Sequence, residues 1–445
     1  MHAYPENVEM YVRENWSEAA MVGHRFGIAF RESLPADPLP VPVMLRLLLS
    51  TCYQASLMRE ETRPVVFRLL LREAARIPRE GGPPDGFHRL IFTQPLPFTA
   101  NELRRLSPAA SFERSLVGVQ FNSQGQPEIW GLVHSGADWM RAQEGSHSRF
   151  TPLPASLVIA ASGPGRLTVS RGSFTIVRLQ SGRIIPPSIN LLETDHQLPE
   201  AAAVSDELMQ AHEAARTTAN QPWARLDPPF SRQLRQQLAL RMVSAIRNAR
   251  HGGTVLLVGR DLAKDREALS RYVRLKYTFQ TEEPRFRART LIVRAMNTVA
   301  EVCGESHPPP ATVGWNEYAG SNHPRVVAAG EAISELTRFL ACLTAVDGAL
   351  VLTQSLELLG FGGEISGDLP EVEMVARVTD LGSGELELEP ATAFGTRHRS
   401  AYRFCRALPG SAALVVSQDS GLRVITWLNN QVTCWEQLTA GALDL

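Results

Sequence analysis

The stretch Gly252-Gly253-Thr254-Val255-Leu256-Leu257-Val258-Gly259, taken with the residues before it, decides the fold class of the C-terminal half. Ser231 can cap a helix on which Leu234, Leu238, Met242 and Ile246 fall on one face, and the glycine pair ends it. The run that follows is apolar without alternation, so it reads as a short strand covered on both faces. A helix leading directly into a doubly buried strand is the pattern of an α/β layer. The pattern returns downstream: a helix over Val326 to Thr344, with Ile333, Leu336, Phe339, Leu340 and Leu343 toward the core, delivers the chain to Asp347. Val351 and Leu352 then begin a strand, Ser400 to Leu408 form a helix, and Ala412 to Ser417 and Leu422 to Trp427 are closing strands.

Toward the N-terminus the period changes. Leu45, Leu48, Leu49 and Cys52 repeat at helical spacing after a Pro-rich entry, Arg63 to Arg72 reads as a strand, and Pro78 to Gly86 as a loop. Leu116 to Phe121 and Glu128 to Val133 flank a turn and read as a hairpin. Leu157 to Ala160, Arg166 to Ser170 and Ser173 to Leu179 add short strands separated by glycine turns such as Gly163-Pro164-Gly165. The expectation is an α/β (α+β) chain: a β-rich α+β domain over 1–200 with a sensory or regulatory role, a linker over 201–229 that includes a helix over Ala201 to Ala215, and a mixed sheet flanked by helices over 230–445. A length of 445 residues fits two cores better than one.

Composition narrows the function classes. Lys plus Arg (45) nearly balance Asp plus Glu (46), leaving a net charge of -1 and no basic block of the kind that duplex binding needs. The five cysteines are scattered without a CxxC pair, which fits reduced cytoplasmic thiols. Met1 to Trp16 has no basic start and no apolar core of a signal peptide. Val41 to Met58 is interrupted by Pro42, Arg46 and Gln54, so it reads as a buried helix of a cytoplasmic protein rather than a membrane span. His134 and His147 lack metal-ligand spacing.

Two motifs carry chemistry. Gly395-Thr396-Arg397-His398-Arg399-Ser400 lies at a predicted helix start, where free N–H groups, two guanidiniums, an imidazole and two hydroxyls converge on one potential anion site. From charge alone, a basic triplet is more often a solvated helix face. Asp347-Gly348-Ala349 places a carboxylate before residues small enough for a ligand to approach the backbone, and the Asp could orient a hydroxyl, hold Mg²⁺ or Mn²⁺, or accept a proton. Alone, Asp-Gly reads rather as a turn pair.

Together, Asp347-Gly348-Ala349 opening a strand, Gly395 to Ala401 opening a helix and Val415-Val416-Ser417-Gln418 ending a strand resemble the diadenylate cyclase family across Phe230 to Leu438. The resemblance implies one bound ATP per domain and a homo-oligomer in which two sites face each other. Two ATP are then condensed, with a divalent metal (Mg²⁺ or Mn²⁺), into cyclic di-AMP and pyrophosphate. Carried over, Asp347 would orient the 3′-hydroxyl and hold the metal, and Thr396, Arg397, His398 and Arg399 would bind the polyphosphate. Gly348, Ala349, Gly395, Ser400 and Ser417 would line the nucleotide pocket, with Leu257 against the base. The long connection 350–394, containing Leu359-Gly360-Phe361-Gly362-Gly363-Glu364-Ile365, departs from the compact cyclases. In its architecture the chain looks like a diverged bacterial subgroup that joins an N-terminal module to a cyclase-like domain and is described as a probable sensor. The competing expectation is accordingly a catalytically silent sensor of ATP or a cyclic dinucleotide; a third is a scaffold with relic motifs.

Overall fold

The computed structural model describes residues 3–17, 36–77, 81–83, 86–136, 153–180, 182–185, 200–219, 222–249, 251–305, 312–378, 386–417 and 421–437. Contacts divide the chain into two units, residues 1–143 with 148–188 and 442–445, and residues 144–147 with 189–441. The composition is mixed α and β, with sheets of eight and nine strands.

The first unit contains helices α1 (Pro5–Asn15), α2 (Pro42–Ser56) and α3 (Ala100–Leu106). Its strands are β1 (Arg59–Glu60), β2 (Arg63–Pro64), β3 (Phe67–Leu71), β4 (His88–Pro97), β5 (Ser115–Phe121) and β6 (Pro127–His134), followed by β7 (Leu157–Gly163), β8 (Arg166–Arg171), β9 (Phe174–Gln180) and β10 (Arg183–Ile185). The main sheet runs β10-β9-β8-β7-β3-β5-β6-β4, antiparallel except where β3 lies beside β5. Leu45, Leu48, Leu49 and Cys52 of α2 are all buried against one face, as their spacing requires. The single strand expected over Arg63 to Arg72 is broken in two: Pro64, which has no N–H for a ladder, ends β2, and the chain re-enters as β3. Gly165, at φ +67°, turns β7 into β8.

The second unit begins with α4 (Ala201–Thr218), which occupies the span read from sequence as a linker and sends Val204 and Leu208 into the core. Then come α5 (Pro229–Asn248), β11 (Gly253–Val258), α6 (Arg260–Lys264), α7 (Arg266–Ser270), β12 (Val273–Arg274), α8 (Glu283–Gly304), α9 (Trp315–Gly320) and α10 (Pro324–Leu343). The chain continues through β13 (Ala349–Thr353), β14 (Leu358–Ile365), β15 (Met374–Val378), β16 (Leu386–Pro390), α11 (Thr396–Ala407), β17 (Ala412–Val416), β18 (Leu422–Leu428) and β19 (Gln431–Gln437). The sheet order is β12-β14-β13-β11-β17-β18-β19-β15-β16, with parallel pairs β11/β13 and β15/β19.

β11 sits inside this sheet and is buried along its whole length. Val255 and Leu257 face the layer of α4, α5, α8 and α10; Leu256 and Val258 face the layer that includes α11. The mixed sheet is thus flanked by helices, as the pattern around Gly253 to Val258 predicts. Two local expectations differ. Phe339 is 54% exposed, because it lies about 100° around the helix from its buried neighbour Leu340. The helix expected to begin at Ser400 begins at Thr396, so the basic triplet is inside its first turn. The connection 350–394 contributes strands β14, β15 and β16 to the sheet, apart from 379–385, which fall outside the described residues.

Candidate functional site

β11 and β13 run in parallel with Thr254 opposite Ala349, so the starts of both strands lie at one end of the sheet. There the turn after α10 presents Asp347. Gly348 takes φ +116°, a conformation L side chains rarely adopt, and a Cβ on it would lie 2.6 Å from the carbonyl carbon of Gly362. The position of Asp347 is therefore fixed by main chain resting on main chain, Gly348 against Gly362 and Gly363 of β14. Ala349 pairs with Gly363 across the same junction and is 3% exposed.

The second wall is the start of α11. Its N-cap is Gly395, which offers no side chain to accept from the first-turn N–H groups of Thr396 and Arg397. The N–H groups of His398 and Arg399 are already given to the Gly395 carbonyl, at 3.0 and 3.2 Å. Ala401, Tyr402, Phe404 and Cys405 are buried under the sheet and fix the rotation of the helix. With that face inward, Thr396, Arg397 and Ser400 line the same side, one turn apart.

Between the two walls lies a cavity of about 330 Å³ lined by His251, Gly253, Thr254, Thr344 to Ala349, Gly363 to Ile365, Thr396, Arg397 and Ser400. The charged groups on it are Asp347, Glu364 and Arg397. Arg397 donates one long bond, Nη1 to the His251 carbonyl at 3.4 Å, and is otherwise exposed. The Asp347 carboxylate makes no hydrogen bond or ion pair among the described residues. Glu364 is held: Lys276 Nζ lies 2.8 Å and Arg274 Nη2 2.5 Å from its oxygens. Hydrogen bonds first from Lys276 and then from Arg274 pull its carboxyl down to about 2. Lys276 is shifted upward, mainly by Glu364 and in part by the field of Asp347.

Six of the residues singled out from sequence are brought together here: Asp347, Gly348, Ala349, Thr396, Arg397 and Ser400. Five are not on the lining. Gly395 caps the helix behind it. The His398 ring packs near Phe394 and Tyr402, with centroids 6.0 and 6.4 Å away, and Arg399 points to solvent from the next position around the helix. Leu257 is 4% exposed and belongs to the core beneath α5 and α8, because it takes the opposite face of β11 from Thr254 and Leu256. Ser417 stands at the cavity end of β17, where its hydroxyl accepts from the Gly421 amide at 3.1 Å. Gln418, Asp419 and Ser420 lie outside the described residues, as does His147. Sequence reasoning missed His251, Thr254, Thr344, Gly363 and Glu364. The signal for the last two was the run Gly360-Phe361-Gly362-Gly363-Glu364, which read as a hairpin partner of Ala349 to Thr353 would have put Glu364 beside Asp347.

Among the described residues no cluster of three or more His, Cys, Asp or Glu could hold a metal ion by itself. The donor set fits Mg²⁺ or Mn²⁺ only as a shared ligand. Asp347 can give carboxylate oxygen, and hard cations of this kind take the rest of their shell from water and substrate phosphate. Held there, such a cation would supply charge neutralisation to a phosphoryl group.

A family model described as "Probable sensor domain DACNV" matches residues 34–134, under a quarter of the chain. The match falls in the first unit, not on the half that carries the Asp-Gly-Ala and Arg-His-Arg motifs. Its described part runs from α2 through β6 and contains β3, β5, β6 and β4, which are contiguous in the sheet. No curated protein matches the chain. Among the described residues, no helix is long and apolar enough to cross a membrane.

Proposed function

We propose that the second unit binds an adenine nucleotide in the Asp347–Arg397 cavity and, when two such cavities face each other in a homo-oligomer, condenses two ATP into cyclic di-AMP. The observation that carries this reading is the convergence of Asp347-Gly348-Ala349 with Thr396, Arg397 and Ser400, far apart in the chain, on one cavity. The open N–H groups of α11 and the Arg397 guanidinium suit a polyphosphate. In the condensation each 3′-hydroxyl oxygen forms an ester bond to the α-phosphorus of the facing ATP. The bond from that phosphorus to the bridging oxygen of the β-phosphate breaks, pyrophosphate leaves with the electron pair, and the hydroxyl proton passes toward Asp347. Arg397 would offset charge on the leaving group.

A second reading, a sensor that binds ATP or a cyclic dinucleotide without turnover, is favoured by the probable sensor domain at 34–134. It also draws on the engagement of Glu364 by Arg274 and Lys276, which leaves Asp347 as the one lining carboxylate without a partner among the described residues. Mass spectrometry of products after incubation with ATP and Mg²⁺ or Mn²⁺ separates the two. Cyclic di-AMP from the native chain, absent from Asp347→Asn and Arg397→Ala, is the expected result. ATP left intact but bound, with Arg397→Ala weakening the binding about tenfold to a hundredfold, would replace the cyclase with the sensor. No nucleotide binding by calorimetry would remove both.

A further inference from the structure

We propose that Glu364 is a built-in rival of the nucleotide phosphates: it engages Arg274 and Lys276 until a polyphosphate arrives and takes them over. The proposal rests on the nucleotide reading of the cavity. On the lining itself the charges are wrong for a polyanion, since two carboxylates, Asp347 and Glu364, face one guanidinium, Arg397. The missing positive charge is held by Glu364 itself, on Arg274 and Lys276, which do not line the cavity. Arg274 and Lys276 both end on its carboxylate, and Asp347 acts on the Lys276 ammonium through its field, which puts that ammonium within electrostatic reach of both lining acids.

These pairs are suited to exchange. Glu364, Lys276 and Arg274 have side chains 42%, 40% and 77% exposed, and ion pairs this open to water hold weakly. A triphosphate presents several charged oxygens where Glu364 presents one carboxylate, and guanidinium and ammonium groups bind phosphate strongly. Both cations are carried by the sheet edge: β12 is two residues long, among the described residues pairs only with β14, and is followed by the bridge between Tyr277 and Phe361. Long side chains on such an edge can swing from Glu364 to a phosphate while the backbone stays in place. Glu364 thereby sets a threshold. It keeps the two cations oriented and excludes anions with too little charge to displace it, so the site selects di- and triphosphates over monophosphates and inorganic phosphate.

The test is equilibrium binding of ATP, AMP and inorganic phosphate to the full chain, comparing the native protein with Glu364→Gln, Lys276→Ala, the Arg274→Ala/Lys276→Ala pair and Arg397→Ala. Glu364→Gln is expected to bind ATP about tenfold tighter and AMP tighter still relative to the native protein, narrowing the preference. Loss of both cations is expected to weaken ATP about tenfold while leaving AMP little changed. If ATP binds with Arg397 dependence but Glu364→Gln binds it no more tightly, the rival role falls and the nucleotide reading stands. The rival role also falls if the Lys276→Ala and double variants keep native affinity, a readout that does not depend on Glu364→Gln folding. If neither the native chain nor Glu364→Gln binds ATP, both fall.

Discussion

The parallel strands β11 and β13 have two ends furnished with the same kinds of residue, and the ends behave in opposite ways. At the carboxyl ends Glu207 is shared by Arg260 and Arg289, Arg260 also donates to Ser355 at 2.9 Å, and Glu357 receives Arg285 at 2.9 Å. Acids and bases there satisfy one another around a space of about 10 Å³. At the amino ends the space is about 330 Å³, and Asp347 and Arg397 face it without answering each other. In open α/β sheets ligands usually bind outside the carboxyl ends of the strands. Here that end is closed by its own charges and the opposite end is open. What marks the candidate site is the state of its charges, not their number.

The sharpest way to break the comparison is to disturb the backbone junction that builds the open end. Gly348→Ala places a Cβ against Gly362 at a positive φ, and is expected to cost about 2 kcal/mol, a fall of about 4–8 °C in Tm for a unit of this size, together with loss of nucleotide affinity. A neutral outcome in thermal denaturation would mean that the carboxylate is not placed by main chain. At the closed end Glu207→Gln is expected to cost about 1 kcal/mol, or about 2–4 °C, because its side chain is only 35% exposed and serves two arginines. Nucleotide binding should stay unchanged, and a parallel loss of affinity would erase the distinction between the ends. The smallest effect concerns pH. With its carboxyl held near 2, Glu364 contributes its share of stability above the ordinary glutamate value of about 4.3 and loses it as pH falls through about 2. Its carboxyl carbon should therefore titrate below the ordinary glutamate midpoint by NMR. A midpoint near 4.3 would show the cations at the rim to be unengaged.

Much of this was legible in the sequence, and what was not has physical reasons. The helix-to-strand pattern ending in Gly253 to Val258 announced a sheet covered on both faces, and the two motifs pointed to six residues that the fold unites. Leu257 escaped because a doubly buried strand shows no alternation, so the side on which each residue falls is invisible in the string. Glu364 escaped because its neighbourhood depends on the register of β14 against β13, a pairing interrupted by shifts between Ala349 and Leu352. The last strand escaped although its turn was written plainly: Asn429 and Asn430 sit at φ +49° and +61°, where asparagine is among the tolerated residues of a tight hairpin. In the first unit the apolar spacing of α2 was sufficient, and Pro64 alone broke the expected strand.

The junction of Gly348 with Gly362 and Gly363 has an evolutionary corollary. A carboxylate placed by glycine against glycine depends first on backbone contact, so a change at Gly348, Gly362 or Gly363 reaches it more directly than a change of side chain on the exposed surface of the unit. A lineage that keeps those glycines can change much of its exposed surface and still present an acid at the same point in space.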